Sequence, residues 1–357
     1  MSPHAGIPSL KSTTSEMSIS RKHILDLDDF TAEEIQLVLD NTVAMQEVIS
    51  RSVRKVPALR GRTIVTLFHE PSTRTRVSFE QAGKILSADV INVSSSASSS
   101  KKGESLYNTA LTIQSMQADI IVVRHPHSGS PNFLARHLDS SIINAGDGYH
   151  AHPSQALLDL YTIQSHFGDI KGRKVAIVGD IMYSRVARSN LWGLTKMGAQ
   201  VVLCSPPTLI PPDFVNGFPK THPFASVSIT HNLSEAVKNA DVIMALRLQA
   251  ERQSRGRLPS LREYSRLYGI NSETVKLAKE DVLIMHPGPI NEGIEIDTEI
   301  AHGPHSAIQD QVTNGVAVRM ALLYAVASAN GGAVSYTHLR AHETDSSLVC
   351  RLLLEKK

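Results

Sequence analysis

Ser72-Thr73-Arg74-Thr75-Arg76 places three hydroxyls and two guanidinium groups where an apolar run, Thr63–Phe68, meets a helix-period pattern. A strand that ends on small hydroxyl residues and turns into a helix aims the unpaired N–H groups of the first helical turn at one point, and the helix dipole favours an anion there. The Arg74 fork adds charge-assisted bonds whose geometry matches phosphate oxygens. Such a cradle suits a phosphorylated substrate. Taken alone, the same residues also fit a plain Ser/Thr N-cap followed by solvated arginines, so the reading turns on what the other loops supply.

Those loops supply polar groups of complementary kinds. Arg124 stands at the carboxyl end of a β-branched run, where ligands meet a parallel sheet and a charge wants a partner. The segment Asn144–Gln155 ends one strand and opens a helix, which puts His152 and Gln155 on neighbouring positions of its first turn. Arg185, Arg247 and Gln249 follow the runs Lys174–Val178 and Asp241–Ala245, where a dicarboxylate clamp could be built. In His286-Pro287-Gly288-Pro289 the prolines remove two N–H donors and hold the backbone extended, exposing carbonyl acceptors. Ser98-Ser99-Ser100-Lys101-Lys102-Gly103-Glu104 has no apolar anchor and is expected to be a mobile loop whose lysines close over an anion. No Cys, Asp or Glu accompanies His152 at metal-ligand spacing, so neither a metal nor a cofactor is expected.

Loops of this kind are brought together by strands that end side by side. Short β-branched runs alternate with helix-period segments along the chain, the pattern of parallel sheets covered by helices. Strands are expected at Thr63–Phe68, Asp89–Val93, Asp119–Arg124 and Ser141–Asn144, and again at Lys174–Val178, Gln200–Cys204, Ser226–Thr230, Asp241–Ala245 and Val282–Met285. Thr31-Ala32-Glu33-Glu34 is a capping box opening a helix to about Ser50. Further helices are expected from near Thr73, Gly103 and Pro131. The fold class is therefore α/β: two doubly wound parallel-sheet domains joined near His152–Leu160, with the site in the cleft between them. A last helix over Gln311–Ser328, apolar at Val312, Val316, Met320, Leu323 and Ala327, is expected to pack back across the first domain.

Composition sets the bounds on class. A chain of 357 residues, 41% hydrophobic and 20% charged, suits an ordinary globular protein of about two domains. A net charge of +2 leaves no electrostatic footprint for nucleic acid or a membrane surface, and no apolar run reaches the ~18 residues of a membrane span. Cys204 and Cys350 are too few for a disulfide framework and fit a reducing cytoplasm. Residues 1–18, rich in Ser, Thr and Pro without an apolar core, read as a flexible arm and not a signal peptide.

Ser72-Thr73-Arg74-Thr75-Arg76 together with His152-Pro153-Ser154-Gln155 resembles the paired signature of the aspartate/ornithine carbamoyltransferase family, and the likeness runs from about Ile19 to Ser328. Lys101-Lys102-Gly103-Glu104, Arg247-Leu248-Gln249 and His286-Pro287-Gly288-Pro289 resemble the aspartate branch. The His-Cys-Leu-Pro and Asp-x-x-x-Ser-Met-Gly segments expected of ornithine enzymes are absent. The resemblance implies carbamoyl transfer from carbamoyl phosphate to the α-amino group of L-aspartate, giving N-carbamoyl-L-aspartate and phosphate for pyrimidine synthesis. It implies a carbamoyl-phosphate-binding domain over 19–152 plus 312–332 and an aspartate-binding domain over 153–311. It assigns the phosphate to Ser72, Thr73, Arg74 and Thr75, and the carbonyl oxygen to Thr75, Arg124 and His152, with Arg124 bridging the two. Gln155 and the backbone around Pro287, Gly288 and Pro289 are assigned the carbamoyl NH2; Arg185, Arg247, Gln249 and Lys102 are assigned the aspartate carboxylates.

In the family, Ser98 and Lys102 reach into the neighbouring subunit's site, so a homotrimer with shared sites is implied; regulatory chains or a dihydroorotase partner are left open. Glu70 matches a family position that pairs on closure with arginines of the other domain, here Arg185 and Arg252. Gly288 departs from the leucine of other members, a change expected to be tolerated because the position offers backbone. After Gly331-Gly332 the periodicity stops, and residues 333–357 are read as a non-native tail resembling translated adapter sequence, with no role for His338 or His342 despite their i, i+4 spacing. Two alternatives are a carbamoyltransferase for another amine, which would change the arginine pair, and a non-catalytic phosphometabolite-binding scaffold, which would need a lost site residue. None of the matched positions is lost.

Overall fold

The computed structural model describes residues 19, 21–94, 104–249 and 260–329. The first half runs α1 (Ala32–Ser50), β1 (Thr63–Phe68), α2 (Thr73–Ile85), β2 (Asp89–Ser94), α3 (Leu106–Ser115), β3 (Ile120–His125), α4 (Ser130–His137), β4 (Ser141–Asp147) and α5 (Pro153–Phe167). The second runs β5 (Lys174–Val178), α6 (Arg185–Lys196), β6 (Gln200–Cys204), β7 (Ser228–Thr230), α7 (Leu233–Val237), β8 (Val242–Ala245), α8 (Leu261–Tyr268), α9 (Ser272–Val275), β9 (Leu283–Met285), α10 (Thr298–Ala301) and α11 (Ile308–Ala329).

Two all-parallel sheets result, ordered β2-β1-β3-β4 and β7-β6-β5-β8-β9. Strands β3, β4 and β8 are buried almost throughout, as expected where helices cover both faces. In each sheet the strand order reverses direction once, between β1 and β3 and between β5 and β8. Such switch points open a crevice beyond the carboxyl ends of the strands, and ligands bind there in open α/β sheets. The carboxyl end of β3 and the segments after β1, β4, β5, β8 and β9 carry the sequence motifs.

Local chemistry explains the element starts. Thr31 Oγ1 accepts from Glu34 N at 3.2 Å and Glu34 Oε2 accepts from Thr31 N at 2.9 Å, closing the capping box of α1. The helix then buries Ile35, Val38, Leu39 and Met45 at helical spacing. α11 packs against α1, α2 and α5, as its sequence pattern anticipates. By length and composition α11 could cross a membrane; here Val316, Met320, Leu323 and Ala327 are buried in the core, whereas Val312, expected on the same face, is exposed at the cleft wall.

Several boundaries differ from the sequence expectations for local reasons. β7 starts at Ser228 because Val227 N turns back to Phe224 O at 2.9 Å. α3 starts at Leu106, capped by Ser105 Oγ accepting from Asn108 N at 3.2 Å. β4 continues past Asn144 to Asp147, whose buried carboxylate accepts from Gly129 N at 2.6 Å, Asn144 Nδ2 at 2.8 Å and Ala151 N at 3.1 Å. That carboxylate folds the whole Asn144–Ala151 turn around itself and so sets where α5 begins. The expectations for residues 1–18, Ser98, Lys101, Lys102, Arg252, and 333–357, including Cys350, fall outside the described residues.

Candidate active site

At the start of α2, Ser72 is extended (φ −160°, ψ 94°) and its side chain caps none of the helix N–H groups. The first-turn donors therefore remain available to a ligand. α6 shows the contrast, since Ser184 Oγ accepts from Ala187 N at 3.1 Å. A cavity of about 1150 Å³ lies between the two sheets, and its wall includes Ser72, Thr73, Arg74, Thr75, Arg124, His152, Gln155, Arg185, Arg247, Gln249, Pro287, Gly288 and Pro289. All the described candidate residues thus meet in one cleft, contributed by loops more than 200 positions apart in the chain. Ser98 and Lys102 lie outside the described residues.

The cleft is electropositive by construction. Arg74, Arg124, Arg185 and Arg319 surround His152, whose buried ring is held neutral well below the usual histidine range by loss of solvent first and by those four guanidinium groups second. The backbone N of His152 donates to Ser189 Oγ at 2.9 Å, and Ser189 donates to Asp26 at 3.2 Å, which ties the ring's backbone to α6. Burial also lowers Arg319, to about 9, with Arg74 adding like-charge repulsion. Arg74 is exposed to cleft solvent, yet the surrounding protein lowers it too. An anion that lands among these groups relieves the repulsion between them.

Glu70, just before the cradle, holds two of those arginines. Arg124 Nη2 donates to it at 2.8 Å; Arg185, from the other sheet, donates through Nη2 at 2.6 Å and Nη1 at 3.0 Å. Arg124 Nη1 also reaches Ala145 O and Arg185 Nη1 reaches Gly148 O, each over 3.0–3.1 Å. The pairing expected for Glu70 with Arg185 is present; Arg124 is a further partner that the sequence did not suggest. Gly146, at φ 113°, gives these two guanidinium groups room, because a Cβ there would stand 3.0 Å from each.

Several residues that organise the cleft had no motif to announce them. Asp180, after β5, accepts from Tyr183 N at 3.0 Å and Gln249 N at 3.3 Å, binding the β5 and β8 loops together. Gln311 and Arg319 line the cavity from α11. Asp159, on α5, is fully buried and burial pushes its carboxyl up to about 6. The available signal was an acidic residue inside the mainly apolar run Ala156–Leu160, where burial is costly unless the group is partnered. Gly288 is also more than tolerated: at φ 60° its missing Cβ would stand 2.6 Å from Arg74 Cζ, so a side chain there requires Arg74 to withdraw.

A pair of facing parallel α/β domains with a cationic, hydroxyl-lined cleft defines an enzyme that handles a small anionic metabolite. Comparison with known proteins narrows the class. Residues 22–165 match the aspartate/ornithine carbamoyltransferase carbamoyl-P binding domain, and residues 171–326 match the Asp/Orn binding domain of the same family. The aspartate carbamoyltransferase catalytic subunit of Roseiflexus sp. (strain RS-1) is 56% identical over 304 residues, covering 85% of this chain and 94% of that one. Among solved structures, aspartate transcarbamoylase from Trypanosoma cruzi with N-(phosphonacetyl)-L-aspartic acid superposes with a TM-score of 0.78 at 32% identity, over 86% of this chain and 96% of that one. Ornithine carbamoyltransferase from Pyrococcus furiosus superposes with a TM-score of 0.73 at 31% identity, over 86% and 97%. The chain belongs to the aspartate/ornithine carbamoyltransferase family.

Proposed function

We infer that the chain catalyses carbamoyl transfer from carbamoyl phosphate to the α-amino group of L-aspartate. The observation that carries this reading is the meeting, in one cleft, of an uncapped α2 N-terminus bearing Arg74 with the Arg185 and Arg247–Gln249 loops of the second sheet. The first suits a phosphate; the second suits two carboxylates. Relatives at 56% identity are named aspartate carbamoyltransferase catalytic subunits, which supports aspartate over ornithine as the acceptor.

In this reading Ser72, Thr73, Arg74 and Thr75 bind the phosphoryl oxygens, and Arg124 reaches from phosphate to carbonyl. The His152 ring acts as a donor to the carbonyl oxygen, with Thr75, when its proton is on Nε2, and Nδ1 then accepts from the Ser154 hydroxyl 3.4 Å away. As the amine nitrogen bonds to the carbonyl carbon, negative charge grows on that oxygen, and one well-placed donor contributes about 2.7–4 kcal/mol there. The carbon–oxygen bond to phosphate then breaks, phosphate leaves with the electron pair, and a phosphate oxygen accepts the amine's proton. Holding both reactants in place supplies much of the rest, since positioning is worth roughly 7–11 kcal/mol.

A homotrimer in which Ser98 and Lys102 complete a neighbour's site, and a cytoplasmic setting in keeping with the free, buried Cys204, belong to the same reading; a monomeric native mass of the active enzyme overturns the first. The reaction itself is tested by supplying carbamoyl phosphate with L-aspartate or L-ornithine in turn. Stoichiometric N-carbamoyl-L-aspartate and phosphate with aspartate, and at least a hundredfold slower turnover with ornithine, is the expected result. Equal or faster reaction with ornithine, or phosphate release without a carbamoylated product, contradicts it.

A further inference from the structure

Asp159 lies one helical turn beyond Gln155 on α5, is fully buried, and accepts hydrogen bonds from three amide side chains. Gln155 Nε2 donates to Oδ1 at 3.0 Å and Gln311 Nε2 donates to the same oxygen at 2.7 Å; Asn190 Nδ2 donates to Oδ2 at 2.8 Å. An ionised carboxylate can only accept. Each glutamine must therefore turn its NH2 toward Asp159 and its carbonyl oxygen away. Gln311 Oε1 then accepts from His286 N at 2.9 Å, at the head of the His286–Pro289 segment, and His286 Nδ1 in turn accepts from Gly288 N at 2.8 Å. Gln155 Oε1 is left for the cavity that Gln155 lines.

We propose that Asp159 is a positioning residue that fixes the donor–acceptor polarity at the carbamoyl end of the cleft. Through Gln155 it presents one acceptor oxygen, and through Gln311 and His286 it holds the Pro287 and Gly288 carbonyls as further acceptors, so that the pocket takes an NH2 group and discriminates against an acyl phosphate of the same shape that lacks one. Without the acceptor oxygen that Gln155 and Gln311 share at 159, either glutamine amide can rotate, and a donor facing the carbamoyl NH2 repels it. The inference rests on the proposed binding of carbamoyl phosphate.

Acetyl phosphate carries a methyl group where carbamoyl phosphate carries NH2, and inorganic phosphate lacks the acyl group altogether, so the three probes separate the ends of the site. For the full-length Asp159→Leu chain, calorimetric titration is expected to show carbamoyl phosphate binding weakened by about 10- to 100-fold, the range for leaving a buried polar group mispaired, with acetyl phosphate and inorganic phosphate within about twofold of the parent. Asp159→Asn should stay near the parent, because one side-chain oxygen serves both glutamines and Asn keeps it, while the Asn190 amide turns so that its oxygen accepts from the new NH2. If Asp159→Leu does not fold, Gln311→Met removes the His286 bridge alone and should weaken carbamoyl phosphate selectively by about tenfold. Equal weakening of all three ligands in a folded variant assigns Asp159 a general structural role and overturns the proposal, as does parental carbamoyl phosphate affinity. A parent that binds acetyl phosphate as tightly as carbamoyl phosphate overturns the functional reading instead.

Discussion

Arg74→Ala is expected to lower kcat/KM for carbamoyl phosphate about a thousandfold while leaving the fold intact. The guanidinium stands at the first turn of an uncapped helix, facing the cleft, and its side chain is exposed there, so little core packing is lost. What is lost is a forked donor to the oxygens of the leaving phosphate, whose charge rises as the carbon–oxygen bond breaks, and a thousandfold corresponds to about 4 kcal/mol. Folding stability should hold or rise slightly, since the substitution removes the charge that presses on buried Arg319. Thermal unfolding beside steady-state kinetics separates the two effects. Near-parental turnover at saturating carbamoyl phosphate removes Arg74 from the cradle.

Glu70→Gln should produce a split result. Glu70 is the carboxylate that Arg124 and Arg185 share across the two sheets, within 2.6–3.0 Å. Its removal leaves two largely buried guanidinium groups facing each other, and breaking such a pair is destabilising by about 3–5 kcal/mol when nothing replaces the charge. An entering anion can replace it. Inorganic phosphate is therefore expected to bind more tightly, by about tenfold, and to raise the melting temperature more than in the parent. Turnover should nonetheless fall about a hundredfold, because the arginines are no longer steered to their catalytic positions and the two halves lose one of their direct ties. Weaker phosphate binding together with normal turnover is the outcome that removes Glu70 from this role.

Much of this was legible in the sequence because each strand announces itself twice, by a β-branched run and by the turn residues that end it. Thr63–Phe68 and Lys174–Val178 were readable to the residue. So was the cleft, since parallel strands deliver their carboxyl-end loops to one side and the motifs Ser72–Arg76, His152–Gln155 and His286–Pro289 all sit on such loops. The support beneath them was not legible. Asp159, Gln311 and Asp180 act through hydrogen bonds to residues as far as 152 positions away, and no local period encodes a partner at that distance. Gly288 illustrates the same limit: its spacing to Pro287 and Pro289 suggested exposed backbone, whereas the space that Arg74 takes beside it depends on how two domains face one another. Asn144–Ala151 fell between the cases. Its glycines marked a turn, but only the three donors converging on Asp147 explain why that turn runs on as strand before α5 begins.

The central claim is that one cleft holds a phosphate and an aspartate side by side, close enough for transfer. N-(phosphonacetyl)-L-aspartate joins the two in a single molecule, and its binding by titration calorimetry is the most direct measurement. One molecule per chain is expected, competitive with carbamoyl phosphate, bound at least a thousandfold more tightly than inorganic phosphate or succinate separately, because the second half-site is engaged at high effective concentration. Binding should weaken sharply in both Arg74→Ala and Arg247→Ala, one substitution on each side of the cleft. Affinity no greater than that of phosphate alone, or insensitivity to Arg247→Ala, would mean that the two half-sites are not parts of one active site.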